Sequence, residues 1–396
     1  MRRYKLLAGV ISLMFLLIPL SIPSVTAGEN EVTVILVSNN EADSALAHYI
    51  ANFTGDVIVQ TPWGVYDPNV TAEVMEYAPD SVIIIGGPDA VSGQYETDLK
   101  SLGIPVERWG GANRYDTNLI VLKNARLQLN LSVEGNAVVV PGNDSVAIQK
   151  ALKLSVGEKG LLLFVNASTN LSVLRELFGI PTFKTTLIAT QVTRSIIVKI
   201  SSEIPGEKAI IANISPEEAK KAITDAEVSL KTAENMTTTI GFKDNTTGNE
   251  YGLMVRFMKI AKESLLKAQE AYKKGEYTEA YELALISKGQ SEVVIKSASA
   301  GFVEKLKLDP EFRYSLALFR YQAQERILAR AGINTTQLHK LILQLKDAIS
   351  KGEYDILPSL MAQIQNELRR LFMEGKPFLR EKIYFPLEHG GGLGEP

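Results

Sequence analysis

The first half of this chain repeats itself, and that limits its fold more than any other feature. Shifted by about 104 positions, Val34–Val37 falls on Val138–Pro141 and Val57-Ile58-Val59 on Leu161-Leu162-Leu163. Val82–Ile85 then falls on Thr186–Ala189 and Ile104 on Lys208. Almost no gaps are needed, which points to a duplicated unit. Short β-branched or aliphatic runs bounded by Gly, Pro, Asn or Asp predict strands at Val32–Val37, Asp56–Gln60, Ser81–Ile85, Ile104–Arg108, Ala137–Val140, Leu161–Val165, Thr186–Ala189 and Lys208–Ala212. Helical spacing fills the gaps at Ala42–Ala51, Val70–Tyr77, Val91–Leu102, Asn113–Leu129, Ser145–Ser155 and Asn170–Phe178. Continuous apolar strands alternating with helices imply parallel α/β sheets, here as two tandem repeats at about 32–108 and 109–213.

The pattern changes at Ser215-Pro216-Glu217-Glu218. Ser215 suits an N-cap, Pro216 the first helical position, and Glu218 completes a capping box. From 214 to 382 the periodicity is helical. Leu253, Phe257, Ile260, Ala261, Leu265 and Ala268 share one face, and Lys274-Gly275-Glu276 breaks that helix. Tyr277, Ala280, Tyr281, Ala284 and Ile295 line a returning helix. Leu316 to Ala329 forms another, and Leu338, Leu341, Leu345 and Ile349 one more, with Ile356 to Leu371 returning. These helical hairpins predict an all-α bundle. Residues 271–280 resemble part of a tetratricopeptide hairpin, but their recurrence near Ser350-Lys351-Gly352 is too distant for an array. The Gly-rich stretch 383–396 is expected to be a disordered tail.

The N-terminus predicts export. Met1 to Lys5 is cationic, Leu6 to Ile22 apolar, and Val25-Thr26-Ala27 resembles a cleavage site, giving a signal peptide over 1–27. An uncleaved anchor is the alternative; either delivers the rest of the chain outside the cell. No later stretch is apolar enough to span a bilayer, so no transmembrane segment is expected after cleavage. Asn-x-Ser/Thr sequons begin at Asn52, Asn69, Asn130, Asn143, Asn166, Asn170, Asn213, Asn235, Asn245 and Asn334. Chance at this composition would give about two or three, so a surface glycoprotein is expected. Cys is absent, which excludes disulfides, thiolate metal sites and a Cys nucleophile. The formal net charge is −3, more negative once Arg2, Arg3 and Lys5 are removed, and this argues against nucleic acid as a partner.

The densest motif runs from Val82-Ile83-Ile84-Ile85-Gly86-Gly87-Pro88-Asp89-Ala90-Val91-Ser92, through Leu99, to Arg108-Trp109-Gly110-Gly111-Ala112-Asn113-Arg114-Tyr115-Asp116-Thr117. A strand that ends in paired glycines and feeds a helix offers bare backbone N–H groups to an anion, and is equally the sequence of a tight turn. No Lys-Ser/Thr and no full G-x-G-x-x-G follows. With Val34–Val37, Asn39-Asn40, Asp43-Ser44-Ala45-Leu46-Ala47 and Val57–Val59 upstream, the motif resembles the cell wall-binding repeat 2 family over about residues 32–213. The second copy departs from it: Thr190-Gln191 replaces Gly86-Gly87, Ala147 replaces Asp43, and no Arg-x-x-Gly-x-x-Arg follows Ala212. The resemblance implies non-covalent attachment to envelope polymers or glycans through modules that pack together. Members often carry three repeats. With one good and one worn copy, assembly would need other chains, or the fold persists without the family's ligand.

Candidate ligand-binding residues are Arg108, Asn113, Arg114, Tyr115, Thr117, Gly86, Gly87 and Asp43. The arginines suit phosphate or carboxylate, and the polar side chains suit sugars. The same residues equally suit knitting one repeat to the next, through an ion pair with Asp43 or Asp116. Trp109 suits either a sugar ring or a core. His48, His339 and His389 have no metal spacing, no nucleophile elbow is present, and neither a catalytic residue nor a cofactor or metal is expected. The composite expectation is an exported, non-catalytic envelope-associated protein binding a polymer or glycan. Its alternatives are a structural or assembly partner of a surface layer and an exported hydrolase with an unrecognised site. Among partners, a homo-oligomer formed through the repeats is expected beside the envelope polymer, glycan or surface-layer protein.

Overall fold

The computed structural model describes residues 31–131, 135–169, 184–201, 208–240 and 248–384. The expected signal peptide, the helix Asn170–Phe178, the sequons at Asn170 and Asn245, and the tail beyond 384 lie outside the described residues.

The α/β segment forms two parallel four-stranded sheets of identical order. The first contains β1 (Thr33–Ser38), β2 (Val57–Thr61), β3 (Ser81–Ile85) and β4 (Val106–Trp109), ordered β2-β1-β3-β4. Helices α1 (Glu41–Thr54), α2 (Pro68–Glu76) and α3 (Gln94–Ser101) connect them. Helix α4 (Arg114–Gln128) leads to the second sheet, made of β5 (Asn136–Pro141), β6 (Leu161–Val165), β7 (Lys184–Thr190) and β8 (Lys208–Ala212), ordered β6-β5-β7-β8. Its described helices are α5 (Ser145–Gly157) and α6 (Arg194–Ser201). The duplication seen in the sequence is therefore a duplication of topology. Strand ends shift by a residue or two against expectation, most at the start of β4, which runs from Val106 to Trp109; Ile104 is buried just before it, and Pro105 O accepts from Val82 N.

Each sheet buries both faces, as parallel sheets must. Ile35, Val37, Ile83 and Ile85 of the first sheet share one core with α1, α4, Trp109, α5 and the strands of the second. The opposite face, with Val34, Leu36, Val82 and Ile84, packs under α2 and α3. That second core continues into three helices far along the chain: α10 (Pro310–Arg330), α11 (Thr336–Lys351) and α12 (Leu357–Tyr384). Polar contacts fix the same docking. Asp80 Oδ2 accepts from Arg380 Nη2 at 2.6 Å, and Asp80 Oδ1 from Lys376 Nζ at 3.2 Å. Burial raises the Asp80 carboxyl, but the hydrogen bond from Val32 N, with those from Arg380 and Lys376, outweighs it and holds the group below its usual range.

Helix α7 (Pro216–Thr239) starts on the expected capping box: Glu218 N donates to Ser215 Oγ at 3.2 Å, and Ser215 N to Glu218 Oε2 at 2.8 Å. It packs with α8 (Gly248–Lys274) and α9 (Tyr277–Leu308) around small residues such as Ala226, Ala261, Ala268 and Ala284. This core also takes in Val146 and Ala212 of the second repeat. The α8–α9 hairpin turns at Gly275, whose φ of 81° suits glycine.

Candidate functional site

In a sheet ordered β2-β1-β3-β4, the chain leaves β1 in one direction and returns to β3 on the other side. The crevice outside the carboxyl ends of these two strands is where open α/β sheets take ligands. Gly86 and Gly87 follow β3 there, Asp43 lies against Gly86, and Arg108 and Arg114 reach partners beside it.

The paired glycines make backbone approach possible. Gly86 adopts φ of 124°, donates its N–H to Trp109 O at 3.2 Å, and accepts from Arg108 Nη1 at 2.7 Å. A Cβ on Gly87 would stand 2.5 Å from Gly111 O, and one on Gly110 would stand 2.2 Å from Gly86 O. Two Gly-Gly turns therefore stack backbone on backbone, which no side chain would permit. Arg108 Nε pairs with Glu96 Oε1 at 2.5 Å, and its Nη2 is buried with no hydrogen-bond partner among the described residues. Partial burial raises the Glu96 carboxyl, but its hydrogen bond and charge contact with Arg108 outweigh this and hold it below its usual range.

The Asn113–Thr117 stretch serves as a joint. Asn113 caps α4, with Oδ1 accepting from Tyr115 N at 2.9 Å and Asp116 N at 3.0 Å. Buried Thr117 accepts from Gly111 N at 3.0 Å. Arg114 Nη1 donates to Gly142 O in the second repeat at 2.6 Å, and the Tyr115 ring lies against Gly142. Trp109 is fully buried between the repeats, so its ring offers no face to a sugar.

Asp43 lies behind Gly86 and accepts from Ser38 Oγ at 2.9 Å. Burial pushes its carboxyl up to about 6, against the Ser38 hydrogen bond and the Arg114 charge. The other charged partners come from α9 and from the start of α1. Lys288 pairs with Glu41 and lies 3.9 Å from Glu292. Glu292 accepts from Asn40 Nδ2 at 3.1 Å and stands 3.9 Å from Arg114 Nη2. Burial raises the Glu292 carboxyl; at Glu41 it is outweighed by Lys288, and that carboxyl is lowered. The first crevice is thus filled by a side-chain cluster of the same chain.

The second crevice is filled from the same helix. Asp144, fully buried, caps α5 and accepts at Oδ2 from Thr190 N at 2.9 Å, Thr190 Oγ1 at 2.8 Å and Thr193 Oγ1 at 2.5 Å. Its Oδ1 accepts from the Tyr281 hydroxyl at 3.0 Å, and that hydroxyl accepts from Val146 N at 3.1 Å. Thr190, standing where the first repeat has Gly86, thereby supplies a donor instead of a bare turn. The acid of this crevice, Asp144, occupies the position of Asn40 and lies three residues before Ala147. Helix α9 thus runs along the carboxyl ends of both sheets. Tyr281 and Glu292 are about 16 Å apart along its axis at the usual helical rise.

The sequence pointed to neither Asp144, Thr190 and Thr193 nor Glu41, Tyr281, Lys288 and Glu292. Asp144 carried a signal as the N-cap in Asn143-Asp144-Ser145, but its partners are remote in sequence. Of the expected sequons, Asn52, Asn69, Asn130, Asn143, Asn213, Asn235 and Asn334 are exposed. Asn166 is half-buried, with its Oδ1 accepting from Ser168 N at 2.8 Å. His48 is exposed on α1, and His339 Nδ1 lies 2.9 Å from Glu325. Among the described residues no cluster of three His, Cys, Asp or Glu is placed to hold a metal ion, and no helix is long and apolar enough to cross a membrane.

No family model matches the chain. It is 38% identical over 167 residues to an uncharacterized protein of Methanocaldococcus jannaschii, covering 41% of this chain and 47% of the relative. It is 30% identical over 109 residues to the N-acetylmuramoyl-L-alanine amidase LytC of Bacillus subtilis, covering 28% of this chain and 21% of the amidase. A solved structure of Cwp6 from Clostridium difficile aligns over 43% of this chain and 28% of that chain, at 22% identity and a TM-score of 0.34. The chain spans less than half the length of each of these proteins.

Proposed function

We propose that this chain is an exported, non-catalytic protein of the cell envelope, held there through its tandem α/β repeats. The observation that carries this reading is the joint between the repeats. Arg108, Asn113, Arg114, Tyr115 and Thr117 hold turns and neighbouring modules together, an arrangement suited to stacking modules and not to breaking bonds. Partial identity to a chain that is an N-acetylmuramoyl-L-alanine amidase supports an envelope setting, as do seven exposed sequons. Attachment to a polymer or glycan would use surfaces outside the two filled crevices. The test is retention of the purified full chain on isolated envelopes, washed at low and high salt. Retention that weakens as salt rises is expected for a charged polymer; complete loss into the first low-salt wash sinks the reading.

One observation favours a second reading, an assembly partner acting through protein–protein contacts. Helix α9 occupies both crevices, leaving the repeats to act as a scaffold. Retention that survives enzymatic removal of envelope glycans selects this reading over polymer binding.

A further inference from the structure

Apart from both crevices, the molecule holds a cavity of about 1050 Å³, at the upper end of ligand-pocket sizes. It lies between the loops after β2 and β3, α3, the end of α7, the second half of α9, α10 and α12. None of the candidate residues of the repeat motif lines it. Phe302, Val303 and Leu306 of α9, Leu316 of α10 and Met361 of α12 make an apolar wall. Val303 is 46% exposed, an apolar side chain left wet inside a concave surface. At its base Arg320 is ion-paired to buried Asp98, which also accepts from Tyr66 OH at 2.5 Å and Gln94 Nε2 at 2.9 Å.

The charge of this cavity opposes that of the chain. Four cationic side chains line it, Lys296, Lys307, Arg313 and Arg320, against the carboxylates Asp89 and Asp98. The whole chain has 42 Lys and Arg against 45 Asp and Glu. Both carboxylates are already matched, Asp98 by Arg320 and Asp89 by Lys296 at 2.7 Å. Lys307 and Arg313 have no ion-pair partner among the described residues; Arg313 rests on the Tyr314 ring at 4.8 Å. An apolar chamber with surplus positive charge is complementary to a molecule that is apolar along its length and anionic at one end.

We propose that this cavity binds an anionic amphiphile, an aliphatic chain bearing a carboxylate or phosphate head. The chain lies against Phe302, Val303, Leu306, Leu316 and Met361, and the head meets Lys307 and Arg313. The site draws on the helical segment and the first repeat together, and it does not depend on envelope attachment.

The full chain is tested by equilibrium dialysis against dodecyl phosphate and dodecanoate below their micellar concentrations, with 1-dodecanol and inorganic phosphate as comparisons. Trp63, beside the cavity residues Pro62 and Gly64, gives an independent fluorescence readout on the unaltered protein. Saturable one-site binding of at least one anionic amphiphile is expected, and the two heads distinguish carboxylate from phosphate recognition. Dodecanol should bind about tenfold more weakly, and inorganic phosphate should not compete. Val303→Trp, and separately Lys307→Glu with Arg313→Glu, should each weaken binding about tenfold while the thermal melt is kept. Val303 and Lys307 are exposed, which spares the core. Absence of saturable binding and of a Trp63 response, equal binding of dodecanol, or full affinity in the variants overturns the proposal.

Discussion

Gly110 shows how little freedom the motif leaves at the residue scale. A Cβ there would stand 2.2 Å from Gly86 O, a backbone atom that cannot swing aside. Gly110→Ala is expected to cost about 2–4 kcal/mol in urea unfolding, through displacement of the stacked turns. Asp43 gives a pH signature instead. Its carboxyl is raised by burial from 3.8 to about 6, so the folded state favours the proton more than the unfolded chain does. Stability from this group is present below pH 4 and is lost as pH rises through 6. Arg114 opposes the shift while Glu41 and Glu292 reinforce it. Asp43→Asn, which keeps an acceptor for Ser38, should therefore gain on the wild type by roughly 1–3 kcal/mol between pH 4 and 7. A stability difference that is flat with pH would refute that assignment.

Among the elements, α9 has the widest reach. Tyr281, Lys288, Glu292, Ile295 and Ser299 recur at spacings of three, four and seven, so they share one face. That face meets Asp144, Glu41, Asn40 and then Gly64 O, which accepts from Ser299 Oγ. The helix thus places its charged and hydroxyl groups at the carboxyl ends of both sheets. Removing one charge from such a cluster leaves its partner buried and unmatched. Lys288→Met alone should cost about 3–5 kcal/mol, while Lys288→Met with Glu41→Gln should recover most of the loss. The measurement is a double-mutant cycle by chemical denaturation; strictly additive costs would mean that the pair is uncoupled.

For the whole molecule, shared cores predict shared unfolding. One core joins the outer face of the first sheet to α10, α11 and α12, and another joins α7, α8 and α9 to the second repeat. Both tryptophans, Trp63 and Trp109, belong to the first sheet and its loops, whereas most of the helix content lies after residue 215. Tryptophan fluorescence and far-ultraviolet circular dichroism should therefore report one coincident transition in urea. Two separated midpoints would mean that the helices fold apart from the repeats.

Much of this architecture was readable along the chain because it is written in short-range chemistry. Strand runs, the Ser215 capping box and the Gly275 turn depend on neighbours a few residues away; the cap and the turn took the expected form, and the strands did so apart from shifted ends. The motif residues could be named from spacing, but ligand contact and module joint use the same side chains, so their engagement needed distances. The stripe on α9 was beyond reach for a related reason. A helix face at three-, four- and seven-residue intervals looks the same whether it meets another helix or a sheet crevice. Asn40 and Glu292 are 252 positions apart, and Asp144 and Tyr281 are 137 apart. The sequence alone determined most of the described elements and that the four-stranded sheet forms twice. Only tertiary packing decided that one distant helix would close both copies, because that choice rests on surfaces that exist only once the sheets are built.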